Sequence, residues 1–66
     1  MRNSLPERRH GLGWSQQRLA DELGVSRQTV ISIEKGRFDP SLPLAFRIAT
    51  VFDCRIEELF SPDDPA

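Results

Sequence analysis

Residues 15–36 read SQQRLADELGVSRQTVISIEKG, and this run decides the fold. Behind Ser15, Leu19, Ala20 and Leu23 recur at the spacing of one buried helical stripe. The Ser15 hydroxyl suits an N-cap, where it can accept from a free backbone N–H of the first turn. Gly24 stops this helix, because glycine accepts the left-handed geometry of a C-terminal cap. Val25 then fills the turn and Ser26 caps a further helix. The run predicts two short amphipathic helices joined by a tight turn, the second with an unusually polar outer face.

Working outward, the stretch Ser4-Leu5-Pro6-Glu7 has the form of a capping box, with a hydroxyl at N-cap, proline in the first turn and glutamate at N3. It predicts a first helix that is short and rather polar, ended by Gly11 and Gly13. Leu5 is its main apolar residue, and Leu12 and Trp14 are expected to cover the core from the loop that follows. After the breaker sequence Phe38-Asp39-Pro40, a fourth helix is expected from about Ser41 to Phe52. Its stripe is Leu44, Ala45, Ile48, Ala49 and Phe52. A last turn or two, about Arg55 to Phe60, packs Ile56 and Leu59, although Arg55 is a poor N-cap. The ending SPDDPA reads as a polar tail that frays. No stretch shows the period-2 alternation of a strand. The expectation is an all-α, compact five-helix bundle forming a single domain over residues 1–66, with its core at about 3–60.

A chain of 66 residues buries only about 60% of its unfolded surface, which leaves a small core and little room for an enclosed substrate pocket. Cys54 is the only cysteine, so no disulfide can form within the chain. No apolar run approaches the ~20 residues that span a bilayer, and MRNSLPERRH lacks the apolar segment of a signal peptide. These features point to the cytoplasm. Net charge is −1, but the charge is unevenly placed. Residues 1–37 hold seven basic and four acidic groups; residues 38–66 hold two basic and six acidic ones. A basic half facing DNA and an acidic half turned away would produce this split.

The second helix of the opening pair carries the chemistry. At ~100° per residue, Val30 and Ile33 mark its core side. Gln28, Ile31, Ser32 and Lys35 lie opposite, with Arg27 and Thr29 on the flanks. Glutamine can donate to and accept from the N6 and N7 edge of adenine, and arginine offers a fork to O6 and N7 of guanine. Thr29 and Ser32 can bond several bases, and an exposed Ile31 can touch a thymine methyl. Gln16 sits in a first helical turn, whose free N–H groups and positive dipole end suit a phosphate. Lys35 and Arg37 flank the reading helix as further phosphate ligands.

These residues resemble the Cro/C1-type (XRE) helix-turn-helix family of bacterial and phage transcriptional regulators. The resemblance runs through Arg9, Trp14-Ser15-Gln16, Leu19-Ala20, Leu23-Gly24-Val25-Ser26, Thr29-Val30, Ile33-Glu34-Lys35-Gly36 and Pro40-Ser41-Leu42. Ile48-Ala49 and Glu58-Leu59-Phe60 extend it across nearly the whole chain. It implies a five-helix fold whose second and third helices form the DNA-reading unit. It also implies that Gln16 clamps phosphate, that Arg27, Gln28 and Ser32 read bases, and that Thr29 contacts phosphate or base. Arg9 and Glu34 correspond to an ion pair between the first and third helices. The candidate DNA-binding set is therefore Gln16, Gln17, Ser26, Arg27, Gln28, Thr29, Ile31, Ser32, Lys35 and Arg37.

Very short members of the family dimerise through the C-terminal part, some with an added strand pair. Two prolines in the tail disfavour a regular strand here. Phe52, Leu59 and Phe60 are the candidate dimer interface, and the DNA partner is then a near-palindromic operator bound by a homodimer acting as a repressor. An alternative is an antitoxin-like module, or another protein-binding module, whose acidic half meets a protein partner. No enzymatic motif, cofactor or metal is expected: His10 and Cys54 are too few to make a metal site. Cys54 is expected to be a core thiol.

Overall fold

The computed structural model describes residues 2–61. The elements run β1 (Arg2–Asn3), α1 (Leu5–Gly11), α2 (Gln16–Leu23), α3 (Arg27–Glu34), α4 (Leu42–Phe52), α5 (Ile56–Leu59) and β2 (Phe60–Ser61). Five helices enclose the core, as the sequence predicts. Of the tail SPDDPA expected to fray, Ser61 is instead paired in β2, and residues 62–66 lie outside the described ones.

Local chemistry explains where the central helices begin. Ser15, Ser26 and Ser41 each adopt extended backbone, and each hydroxyl accepts from the N–H three residues on. The helix ends share a second device. At the ends of α1, α2 and α3, Gly13, Gly24 and Gly36 have φ of 72°, 72° and 74°. At the end of α4, Asp53 takes the same left-handed position with φ 53°. In every case the residue after it donates back to the carbonyl five residues earlier: Trp14 to Arg9, Val25 to Ala20, Arg37 to Ser32 and Cys54 to Ala49, at 2.9–3.1 Å. These are Schellman motifs, which satisfy the orphan carbonyls of a helix terminus. An apolar residue commonly follows the left-handed position and packs back on its helix. Trp14, Val25 and Cys54 do so against the core. Arg37 is the exception, and it is exposed.

The core joins Leu5 from α1, Leu19, Ala20 and Leu23 from α2, Val30 and Ile33 from α3, and Ala45, Ile48 and Ala49 from α4. Leu59 and Phe60 complete it. Of the expected α4 stripe, Leu44 and Phe52 are only half-buried, packed on the rim of this cluster. Between α2 and α4, Arg47 Nη1 donates to the Leu23 carbonyl at 2.8 Å, occupying a terminal acceptor of α2.

Three expectations need correction. A short antiparallel pair does form, with Arg2 opposite Ser61 and Asn3 opposite Phe60. It lies before the tail prolines, so they do not obstruct it, and two residues per strand are too few to show periodicity. Secondly, Ser4 is the N-cap of α1 but its side chain makes no capping bond. Its Oγ donates instead to the Glu58 carbonyl at 3.0 Å, while Asn3 Oδ1 accepts from the Leu5 N–H. The strand pairing draws Ser4 toward α5, and the neighbouring Asn3 takes over the cap. Thirdly, Leu12 is 51% exposed rather than covering the core. Trp14, which follows the left-handed turn at Gly13, does pack on the core as expected, its ring centroid 6.3 Å from that of Phe52 and 4.7 Å from the Arg18 guanidinium. At α5, Arg55 offers no acceptor, and the helix is started from within: the Glu58 carboxylate accepts from the Arg55 N–H at 2.8 Å.

Cys54 is half-buried. Burial pushes its thiol above the ordinary cysteine value; the Arg8 guanidinium partly opposes this, and the Glu58 and Asp53 carboxylates reinforce it. It is held as a thiol rather than a reactive thiolate.

The turn between α2 and α3 yields a direct test. A Cβ at Gly24 would meet nothing within 4 Å, so substitution there strains the backbone without a clash. Gly24→Ala is expected to lower stability by about 1 kcal/mol, the left-handed penalty less the reduced freedom of the unfolded chain. Urea denaturation measures it, and an unshifted midpoint would contradict the role assigned to this turn.

Candidate nucleic-acid interface

α3 is held at both ends. At its start the Ser26 hydroxyl accepts from the Thr29 N–H at 3.1 Å and lies 2.9 Å from Thr29 Oγ1. At its finish Gly36 turns the chain, and the Arg37 N–H closes on the Ser32 carbonyl. Val30 and Ile33 anchor the inner face, with relative exposures of 0% and 1%. A helix fixed in this way presents its other side chains in a defined register.

Arg27, Gln28, Lys35 and Arg37 are exposed on or beside α3, and Ser32 is half-buried. Thr29 is half-buried too, with its hydroxyl against Ser26. Ile31, expected to be exposed, is half-buried, so less of it is open to a partner than the wheel suggests. Ser26, Gln28, Thr29 and Ser32 come together with Phe38 around a shallow depression. Phe38 is 47% exposed. In the sequence Phe38 stands out only as part of the helix-breaking stretch Phe38-Asp39-Pro40. Its one sequence signal is an aromatic in a polar loop just after Lys35-Gly36-Arg37, and aromatic residues there are ordinarily assigned to a core.

The neighbouring end of α2 joins the same surface. Gln16 is half-buried, and its Nε2 donates to Glu34 Oε1 at 3.1 Å. Gln17 is exposed and donates to Asp21 Oδ1 one turn on. Glu34 is the hub of this region. Arg9 Nε donates to Glu34 Oε2 at 2.8 Å and Arg9 Nη2 to Glu34 Oε1 at 3.2 Å. The third arm of the guanidinium, Nη1, donates to the Trp14 carbonyl at 2.9 Å. The two side chains are only 10% and 6% exposed. The carboxylate thus binds α1 and the first turn of α2 to the last turn of α3, and through Arg9 the end of the α1–α2 loop joins them. Asn3 adds a further tie, its Nδ2 donating to the Ile33 carbonyl at 2.8 Å. The ion pair that the resemblance implies is thus present, and the Gln16 contact connects it to a candidate binding residue.

Of the candidate dimer residues, Leu59 and Phe60 are packed inside a single chain, 1% and 9% exposed. Chain closure through β1 and β2 turns them inward, so they present no appreciable surface to a second copy as the chain stands. Phe52 is half-buried beside Trp14. The large apolar side chains left open on α4 are Leu42, 63% exposed, and Phe46, 57% exposed. The grooves beside them are lined by α4, α5, β2 and adjoining loop residues, and by no residue of α2 or α3. Among the described residues there is no group of three or more His, Cys, Asp or Glu placed to hold a metal. Among them, too, no helix is long and apolar enough to cross a membrane.

The chain matches the helix-turn-helix family over residues 7–59. It is 52% identical over 64 residues to an uncharacterized HTH-type transcriptional regulator of Methanocaldococcus jannaschii, an alignment covering 97% of each chain. It is 48% identical to one from Archaeoglobus fulgidus, covering 97% of this chain and 91% of the relative. Identity to the HTH-type transcriptional regulator YgzD of Bacillus subtilis is 45% over 60 residues, 91% of each chain.

Removing the hub carboxylate tests the scaffold. Glu34→Ala leaves the buried Arg9 without its counter-charge and is expected to cost about 3–5 kcal/mol. That is a large share of the about 5–15 kcal/mol by which a domain is folded. Thermal unfolding followed by circular dichroism should show a steep fall in Tm, smaller for Glu34→Gln, which keeps an acceptor oxygen. An unchanged Tm for Glu34→Ala would remove the pair from its assigned place.

Proposed function

Because the chain belongs to the Cro/C1-type helix-turn-helix family of DNA-binding transcriptional regulators, we propose that it is a sequence-specific repressor without enzymatic activity. It works in the cytoplasm as a homodimer on a near-palindromic operator. The observation that carries this reading is α3 itself. Its apolar face is locked in the core, and its outer residues are groups that pair with base edges and phosphates rather than the Glu and Lys of an ordinary solvated helix.

Roles follow from position. Arg27, Gln28 and Ser32 read base edges in the major groove, and Thr29 and Ile31 support them at the margins. Gln16, held by Glu34 through one amide hydrogen, has a second to offer a phosphate. Gln17, Ser26, Lys35 and Arg37 complete the phosphate set. One module this small makes few base contacts. A twofold dimer places two reading helices in successive major grooves, about 34 Å apart. The open Leu42 and Phe46 side chains on α4 support such association, since burying them against a second copy is favourable. Repression follows from occupying a promoter and excluding polymerase.

Selection from a random duplex library, with bound complexes sized by light scattering, tests the whole reading. An inverted repeat bound by two chains is the expected result, and enrichment of no motif at low salt would overturn it. On the selected site, Gln28→Ala is expected to cost about 1–3 kcal/mol and to relax preference at one base position. Arg37→Ala should weaken all sequences alike and reduce the salt slope by about 1. An unaltered sequence preference in the first variant, or a base-specific loss in the second, would reverse these two assignments.

A further inference from the structure

We infer that Phe38, together with the depression it forms against α3, is a binding site for the 5-methyl group of a thymine in the major groove. The inference rests on the DNA-binding reading above and adds a specificity-determining residue to it. Phe38 lines one wall, and Ser26, Gln28, Thr29 and Ser32 line the rest. The Ser26 and Thr29 hydroxyls lie 2.9 Å apart and bond to one another, so they do not demand a polar ligand. The ring is 47% exposed, a large apolar surface with no partner from its own chain on that side. It is not on a loose loop end: two residues earlier the Schellman turn at Gly36 pins Arg37 to the Ser32 carbonyl at 2.9 Å.

Among the described residues, Leu12, Leu42 and Phe46 are the other strongly exposed large apolar side chains, and none of them shares this depression. The occupant is argued from continuity and charge. Gln28 is both a rim residue and a candidate base reader, and the exposed Arg27, Lys35 and Arg37 supply the positive charge that a phosphate backbone requires. Of the groups displayed in a major groove, the thymine methyl is the one that is apolar. An adenine edge read by Gln28 beside a thymine methyl seated on Phe38 would be satisfied by an A·T pair or by adjacent A and T positions.

The test uses the operator selected by the wild-type chain. Each thymine is replaced in turn by deoxyuridine, which removes the methyl and leaves every hydrogen-bonding group. Wild type is expected to lose about fourfold in affinity at one thymine per half-site, the effect of one buried methyl. Phe38→Ala should bind the thymine duplex about fourfold more weakly than wild type and bind thymine and deoxyuridine duplexes equally. Ile31→Ala should retain the difference between the two. Thermal melts establish that both variants are folded, and Phe38→Leu, which keeps an apolar side chain, should recover part of the methyl preference. Three results overturn the inference alone: no thymine sensitivity in wild type, the same sensitivity in Phe38→Ala, or a weakening by Phe38→Ala that is indifferent to the methyl, as contact with deoxyribose would give. Failure of the wild-type chain to bind any duplex overturns the parent reading, and this inference with it.

Discussion

The arrangement depends on one buried ion pair. Arg9 and Glu34 meet through two nitrogens and two oxygens, at 2.8 and 3.2 Å, with almost no exposure to water. Taking two charges out of water costs several kcal/mol per ion unless each remaining donor and acceptor is used. Here the guanidinium also reaches the Trp14 carbonyl, and the carboxylate also accepts from Gln16. Four stretches of chain therefore have one geometry in which all of these groups are satisfied together. The geometry sets the position of α3 relative to the start of α2, the relation on which a two-helix reading unit relies. A hydrophobic contact at this place would permit sliding; a forked, hydrogen-bonded pair does not.

The same economy governs the helix ends. Four helices finish on one device, a left-handed residue followed by a backbone N–H that closes on the last turn. After three of them the next side chain turns into the core; after α3 it is the exposed Arg37. A motif that elsewhere adds apolar contact is used there to place a cation and then an aromatic ring beside the polar face of α3. Because the Arg37 N–H closes on the Ser32 carbonyl through the backbone, the exposed Lys35 and Arg37 side chains are left available for a ligand. α4 differs in the opposite respect, with Asp53 holding the left-handed position that glycine holds elsewhere. Aspartate tolerates this region better than most residues, at some cost in strain.

Arg2–Asn3 and Phe60–Ser61 meet in the short β1–β2 pair, and Asn3 and Ser4 extend the meeting to α3 and α5. For a chain whose core is small, this closure has two effects. It covers Leu59 and Phe60, and it brings Asn3 to the Ile33 carbonyl near the end of α3. Leu42 and Phe46 are left open on α4, and Arg18, Arg27, Lys35 and Arg37 are exposed on or beside α2 and α3.

What the sequence by itself determined is whatever depends on neighbours within one or two helical turns. Apolar spacing set the buried faces of α2, α3 and α4. Ser15, Ser26 and Ser41 set where those helices start, and Gly13 and Gly24 set where α1 and α2 stop, because caps and left-handed turns act over three to five residues. The polar character of α3 was legible for the same reason. The Arg9–Glu34 pair was legible only through family resemblance, since spacing alone says nothing about two residues on different helices. Only the tertiary structure decided the rest. It paired Arg2–Asn3 with Phe60–Ser61, turned the Ser4 hydroxyl to α5, left Leu12 exposed and covered Leu59 and Phe60. It also half-buried Ile31, tied Gln16 to Glu34 and left Phe38 open beside α3. Each of these is settled by which distant surfaces compete for the same side chain, and that competition exists only once the helices have packed.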